Sequence, residues 1–600
     1  MQPSSSSSSS VPPVLHLQTI DLAVCVIFLI ITIAVGLTSG KKKKKLVETR
    51  KTNRQEDGEE EDDYFTGGRQ QSCFLVAISL LSGLTSGISY LGCPGLAFET
   101  GAIQVFFQIG GLCAIPLITQ ILIPFYHRSG VTTLYGYLDL RFGNVVRRVA
   151  SIIFIVRTVM YLSIVLVAPS IVVKIFNVNQ QIFIIVCGTC STLYTAKGGL
   201  ASVLSTDALQ SVALTVIVVV VFTSCWSNTI ASHESIDTRL EESQYWGIGL
   251  YSPPALTVWS GLIGGFTAVA AQAGADQIAV QRYLSVNTCQ EAQKSAAIGV
   301  ATSFLFTSFQ IMTGVLLYTF YRGKQPVESS DAILPFYVGS EMQSGAAGAC
   351  LAALTGCTMS VLSGGMNSIV TVGVFDLLGR DSTTMTTSTS IAGSTVTSTS
   401  LTPPTSSTSS TTTTITTTTQ GSPLTSVWAS KILTLVVGVV VTTTSYWLSF
   451  GSFQLVELSN RVLGSMSGPL LGLFILAICV PTSERIGALT GLTVAFVLAI
   501  MSATAETTSV LAISAFMISP VLTSVTVAVG WLVSFLLISF NVGFVENKAV
   551  RTRRRKGLTL FDVAEQKYEK LSLSEEEEEE HGNGNKDVEG SHDELGNKVE

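Results

Sequence analysis

The chain has 600 residues, 47% of them hydrophobic and only 13% charged, with a formal net charge of −6. A mean hydropathy of +0.49 excludes a string of soluble domains, which would need charge spread over their surfaces. Here the charges cluster at the chain ends and between apolar runs, and the expectation is an all-α integral membrane protein.

The N-terminus, MQPSSSSSSSVPP, is low-complexity, and residues 1–18 are expected to be disordered. The apolar run Ile20 to Leu37 is followed by Lys41 to Lys45. A signal peptide carries its positive charge before the apolar stretch, so 19–38 reads as a retained first span with its N-terminus outside. Twelve further runs long enough for a hydrocarbon core of about 30 Å follow at 74–97, 102–126, 149–174, 180–196, 203–225, 255–275, 295–320, 347–377, 426–449, 453–480, 484–504 and 513–542. With that topology the inner loops carry Lys41–Lys45, Arg141, Arg147, Arg148, Lys197, Arg282, Lys294, Arg380, Arg485 and Arg551–Lys556. The outer loops are mainly acidic, as the positive-inside rule requires. Residues 382–423 are nearly all Ser and Thr with Pro403 and Pro404, a disordered insert on the cytoplasmic side; outside, the same composition would read as an O-glycosylated loop. The tail 546–600 starts basic and ends acidic, and is expected to be disordered and cytoplasmic.

Two spans are rich in small residues at mid-depth, SLLSGLTSGISYLGCPG (Ser79 to Gly95) and GLIGGFTAVAAQAGADQ (Gly261 to Gln277). One glycine in such a helix usually marks close packing. Clusters in two spans, five spans apart, suggest discontinuous helices at matching positions of two inverted repeats, whose freed carbonyls can hold a cation. In Ala349 to Leu377, Thr355, Thr358, Ser360 and Ser363 fall near one helical stripe. Such hydroxyls either bond back to their own helix or, facing a broken helix, offer the neutral oxygens a hard cation accepts. The eleven cysteines lie almost entirely in apolar runs, and no CxxC has a second pair at metal spacing, so they read as buried thiols.

TLYTAKGGLASVLSTDALQS (Thr192 to Ser211), ADQIAVQRYLS (Ala275 to Ser285), SGPLLGLF (Ser467 to Phe474) and DYFTGGR (Asp63 to Arg69) together resemble the sodium:solute symporter family over about residues 60–545. FIVRTVMYLSIVLVAPSIVV (Phe154 to Val173) is similar to its branch for monocarboxylates, biotin or pantothenate, and iodide. The resemblance implies thirteen spans, a five-plus-five inverted repeat and sodium-driven uptake by alternating access. It places a transporter core over 74–480, two additional spans within 481–545, and a cytoplasmic loop over 39–73. It also implies a multi-pass plasma-membrane protein with an extracellular N-terminus and a cytoplasmic C-terminus. Its partners would be sodium ions, a small-molecule substrate and the lipid bilayer, with no cofactor beyond Na+ as coupling ion, no nucleic acid and no obligate protein partner.

Carried over residue by residue, the sodium site takes the carbonyls of Ser82, Thr85 and Cys357 and the hydroxyl of Ser360. The next position, normally Ser or Thr, is Val361, and Thr358 is the residue that could compensate. Asp207 would serve a second sodium site or its gating; as an inner-face charge it would instead pair with Arg or Lys. Ser89, Gln108, Tyr161 and Gln272 fall where substrate contacts lie, and Ala271, Gln272 and Ala273 disfavour a sugar. Arg461, an intramembrane cation, could hold a carboxylate through its planar fork, pair with Glu457 one turn back, or snorkel to the edge. The reading is a sodium-coupled symporter for a small organic anion. Uptake of iodide or another small solute, or a non-transporting sensor on the same fold, are its alternatives. An enzyme is disfavoured, since no metal motif, phosphate loop or activated nucleophile is present.

Overall fold

The computed structural model describes residues 18–48, 64–176, 178–232, 236, 256–322, 326–327, 329–378, 427–451, 455–504, 515–540 and 559–560. The Ser/Thr-rich insert, residues 1–17, the middle of the 39–73 loop and, save for residues 559–560, the tail 546–600 lie outside the described residues. No strand occurs among the described residues. In chain order the helices are α1 (Thr19–Glu48), α2 (Cys73–Leu84), α3 (Gly87–Thr100), α4 (Val105–Cys113), α5 (Ile123–Ser129), α6 (Leu134–Phe142), α7 (Asn144–Ile175), α8 (Gln180–Ala231), α9 (Val258–Val269), α10 (Gln277–Tyr283), α11 (Cys289–Phe320), α12 (Ile333–Glu341), α13 (Ala346–Val372), α14 (Val427–Leu448), α15 (Leu455–Cys479), α16 (Arg485–Thr504) and α17 (Ile518–Ser539).

Ten helical segments among the described residues are long and apolar enough to cross a membrane. That number differs from thirteen expected runs for physical reasons. The break at Thr85–Ser86 divides the run at 74–97, leaving Cys73–Leu84 below spanning length and joining the remainder to the 102–126 run in one segment, Gly87–Ser129. The run at 255–275 contains only the twelve-residue α9 and a short π turn, below spanning length as a continuous helix. The runs at 180–196 and 203–225 join in α8, 52 residues long, in which only Gly199 leaves helical geometry (φ 60°). A Cβ there would meet the Tyr64 ring and carbonyl at 2.8 Å, so this bend requires glycine. Helix α1 continues through the lysine run to Glu48, about 15 Å beyond residue 38; lysine is a good helix former.

Helix α13 is the centre of the bundle. Every residue from Cys350 to Val372 is buried, hydroxyls included, as for a helix enclosed on all sides. Helices α1, α7 and α8 pack around it. Its first turn is capped from outside: Asp21 Oδ1 accepts the backbone N–H of Gly345 and Gly348, both at 2.9 Å, placing a carboxylate at the positive end of the helix. Helices α4 and α9 cross through glycine, since a Cβ on Gly265 or Gly110 would land on the carbonyl of Phe107 or Leu262. Two cations counted above as loop charges are in fact interior. Arg141 reaches the carbonyls of Ala477 and Val480 at the end of α15 (3.1 and 3.0 Å), and Arg282 is 1% exposed on α10.

Candidate functional site

Both small-residue runs are interrupted helices. Between α2 and α3, Thr85 and Ser86 are extended (ψ 114° and 169°), and the Ser86 hydroxyl caps α3 by accepting from Ser89 N–H. Between α9 and α10, a π turn over Ala270–Gly274 ends at Ala275, and Asp276, extended, caps α10 by accepting from Ile278 N–H at 2.9 Å.

Around the first break the hydroxyl stripe of α13 meets α2, α8 and α10. Asp207 is fully buried. Its Oδ1 accepts from Ser360 Oγ at 2.5 Å, and its Oδ2 from Ser79 Oγ at 2.6 Å and Arg282 Nη2 at 2.9 Å. The Ser82 and Ser360 hydroxyls lie 2.8 Å apart. Cys357 Sγ sits 3.0 Å from the Thr85 carbonyl, and Thr358 Oγ1 is buried with no hydrogen-bond partner among the described residues. The Thr358 hydroxyl faces Gly87, where a Cβ would come within 2.7 Å of it. The cluster therefore offers several oxygens of the kind that hard cations take. Arg282 meanwhile supplies the charge that a buried carboxylate needs.

A cavity of about 160 Å³ lies against both breaks, comparable to cavities that admit a benzene-sized molecule. Ser89, Gln108, Tyr161 and Gln272 all line it. Phe107 and Phe516 also line it and meet edge to face, with centroids 5.7 Å apart. Arg461 is half-buried and outside the lining set; the Glu457 side chain lies outside the described residues. The one charged residue among the described lining residues is Arg157. It is 2% exposed, pairs with Asp276 Oδ2 through Nη2 at 2.6 Å and donates from Nη1 to Ser467 Oγ at 2.7 Å.

Helix α7 orders these features along the bundle. Ten residues before Arg157, roughly 15 Å along the axis, Arg147 binds Asp376 at 2.7 Å and Asp139 at 3.0 Å. One turn beyond Arg157 comes Tyr161, so the cavity lies on one side of the Arg157–Asp276 pair and the Arg147 pairs on the other. The sequence placed Asp207 at a second sodium site or its gating, or in a pair with Arg or Lys; the structure puts it beside Ser360 and pairs it with Arg282. Arg157, Ser79 and the partner of Asp276 were not singled out from sequence. The signal was available: Arg157 lies inside the span 149–174 and Asp276 directly after the span 255–275, charges of opposite sign at apolar runs, as Arg461 lies inside its own span.

The sequence model of the sodium:solute symporter family matches residues 64–495. Sodium-coupled monocarboxylate transporter 1 of Mus musculus is 27% identical over 447 residues, covering 72% of this chain and 67% of the relative. The sodium/iodide cotransporter of Homo sapiens is 25% identical over 443 residues, covering 71% and 62%. A solved Na+-coupled sialic acid symporter, in a substrate-bound outward-open state, superposes with a TM-score of 0.68 at 21% identity, over 86% of this chain and 98% of its own, which establishes the likeness of fold. A match over residues 64–495 takes in both helix breaks, the Asp207 cluster and the start of α16, and on that ground the chain belongs to the sodium:solute symporter family.

Proposed function

We propose that the chain imports a small organic anion, a short monocarboxylate or a carboxylate-bearing vitamin, together with sodium by alternating access. The observation that carries the anion is Arg157, the single charged residue among the described residues of the cavity wall. A guanidinium whose Nε lacks a hydrogen-bond partner among the described residues, in a wall otherwise free of charge, favours an anion over a neutral solute or a cation. Ser89, Gln108, Tyr161 and Gln272 are the neutral contacts of this reading; Arg461 has no place in the wall. Sodium is assigned to Ser82, Thr85, Cys357, Thr358 and Ser360 at the first break, with Asp207 beside them. In this reading the chain is a carrier rather than an enzyme.

The topology proposed is thirteen crossings, with α8 divided at Gly199 and each interrupted pair, α2–α3 and α9–α10, counted as one. The two breaks are then equivalent positions of a five-plus-five inverted repeat, with the N-terminus outside, the C-terminus inside and the plasma membrane as location. A sensor is the second reading, favoured by buried Val361 where the sodium site would take a hydroxyl. Radiolabelled uptake into expressing cells, with sodium or choline outside, separates them across lactate, nicotinate, biotin, iodide and glucose. Sodium-dependent carboxylate uptake is expected. Sodium currents without uptake of any of the five would establish the sensor, and iodide uptake alone would restrict the cargo to a halide.

A further inference from the structure

This inference rests on the anion-symporter reading and specifies its substrate chemistry. We propose that Arg157 is an exchange site: a planar carboxylate of the substrate takes its guanidinium from Asp276, and this exchange releases the start of α10.

The guanidinium is held on three sides. Its carbon lies 5.2 Å from the centroid of the Phe154 ring. Nη1 donates to Ser467 Oγ at 2.7 Å, and Nη2 donates to Asp276 Oδ2 at 2.6 Å and Thr158 Oγ1 at 3.2 Å. Nε is buried and has no hydrogen-bond partner among the described residues. Nε and Nη2 form one bidentate edge of a guanidinium, the edge a carboxylate meets with two parallel hydrogen bonds. Asp276 uses half of that edge, through one oxygen. Its other oxygen is committed to Ile278 N–H at 2.9 Å, the cap of α10. A substrate carboxylate that took both Nε and Nη2 would gain a charge-assisted hydrogen bond that Asp276 does not make, and would satisfy a buried donor that is otherwise orphaned. Asp276, released, would keep its cap.

This geometry selects among anions. A halide offers one acceptor point to two parallel donors, whereas a carboxylate sets an oxygen opposite each, so carboxylates outbind iodide. The exchange also carries a charge requirement. Arg157 and Asp276 are neutral together, and an incoming carboxylate leaves one negative charge in a buried region. Such a charge is costly unless paired, and a sodium ion offsets it.

The test uses the full chain in expressing cells, with sodium-dependent uptake of nicotinate and iodide normalised to surface protein. Asp276→Asn keeps a cap acceptor and removes the competitor, and is expected to lower the nicotinate KM while reducing the maximal rate. Arg157→Lys keeps the charge but loses the edge, and is expected to raise the nicotinate KM and narrow the preference over iodide. The double variant Arg157→Gln with Asp276→Asn leaves no lone buried charge, so it separates misfolding from lost recognition. It is expected to raise the nicotinate KM roughly 30-fold, about 2 kcal/mol at 1.4 kcal/mol per decade. The proposal is overturned if Asp276→Asn raises KM as Arg157→Lys does, or if the double variant keeps the wild-type KM. Those results against a wild type that carries nicotinate with sodium would remove the exchange and leave the symporter reading standing. A wild type that carries no carboxylate would remove both.

Discussion

Replacing Asp207 by Asn preserves shape and removes one buried charge. Asp207 accepts from Ser79, Ser360 and Arg282, and the exposure of its residue is nil. Arg282 would keep the Ser79 hydroxyl and the Ile278 carbonyl, both at 2.9 Å, as neutral acceptors. Breaking a buried pair from one side costs about 3–5 kcal/mol, because the remaining charge is stranded. Removing both, with Asp207→Asn and Arg282→Gln, eliminates the stranded cation and should recover about 1–3 kcal/mol as a coupling energy. Recovery is incomplete because Arg282 fills a slot made by Gly83 and Gly364, where an added Cβ would lie 2.9 and 2.7 Å from the guanidinium nitrogens. The assay is the fraction of monodisperse, detergent-purified protein left after graded heating, for wild type, both single variants and the double. If the double is no more stable than the sum of the singles predicts, the pair is not a coupled unit and the reasoning fails. The same variants report on sodium: loss of the carboxylate is expected to raise the half-saturating sodium concentration roughly 10-fold or more.

Thr358→Val retains the buried shape and removes the orphan hydroxyl, so half-saturating sodium is expected to rise while Thr358→Ser leaves it near wild type; equal behaviour of the two would dismiss Thr358 as a ligand. Asp21→Ala strips the cap from α13 and is expected to cost about 1–2 kcal/mol of thermal stability without changing the substrate KM, as read from heating curves and uptake in parallel. Arg461→Gln is expected to leave the nicotinate KM unchanged, since the residue stands outside the cavity wall; a raised KM would restore it to substrate binding.

Helix existence was legible because hydropathy at membrane depth is a strong signal, and both breaks were legible because Gly, Ser and Ala gather where the backbone must leave the helix. The length of α8 was not, since the polar run Lys197 to Gly199 reads as a loop while only Gly199 departs from helical geometry. The stripe Ser360–Ser363 was legible as polar, but its partners were not: Ser363 bonds back to the Ser360 carbonyl at 3.0 Å, while Ser360 reaches Asp207. Ion pairs were the least legible. Arg157 and Asp276 are 119 residues apart, and a pattern on one helix says nothing of which distant charge will meet it. Arg461 drew notice because its span holds so little other charge, whereas Arg157 and Arg282 are neutralised across the fold.

Helix α10 brings these pairs together. It has seven residues, Gln277–Tyr283, roughly 10 Å of helix, too short to be fixed by its own hydrogen bonds. Its N-cap Asp276 binds Arg157 on α7, and Arg282 in its last turn binds Asp207 on α8. Between them, Gln277 accepts from Leu134 N–H at 2.7 Å, and Gln281 donates to the Phe65 carbonyl at 2.7 Å and accepts from Ser368 at 3.0 Å. Moving α10 as a unit breaks both ion pairs at once. On the proposed exchange, a carboxylate replaces Asp276 at Arg157; sodium at the neighbouring first break would in the same way supply the counter-charge to Asp207 when Arg282 leaves it. Either ligand alone leaves the other pair to be broken uncompensated, at about 3–5 kcal/mol, whereas both together leave Arg157 and Asp207 each with a counter-charge. Backbone hydrogen exchange over residues 276–284 is therefore expected to quicken when sodium and nicotinate are both present, and to stay near the ligand-free rate with either one. Full acceleration by sodium alone would show that α10 does not read the substrate, and the two-ligand account of coupling would be refuted.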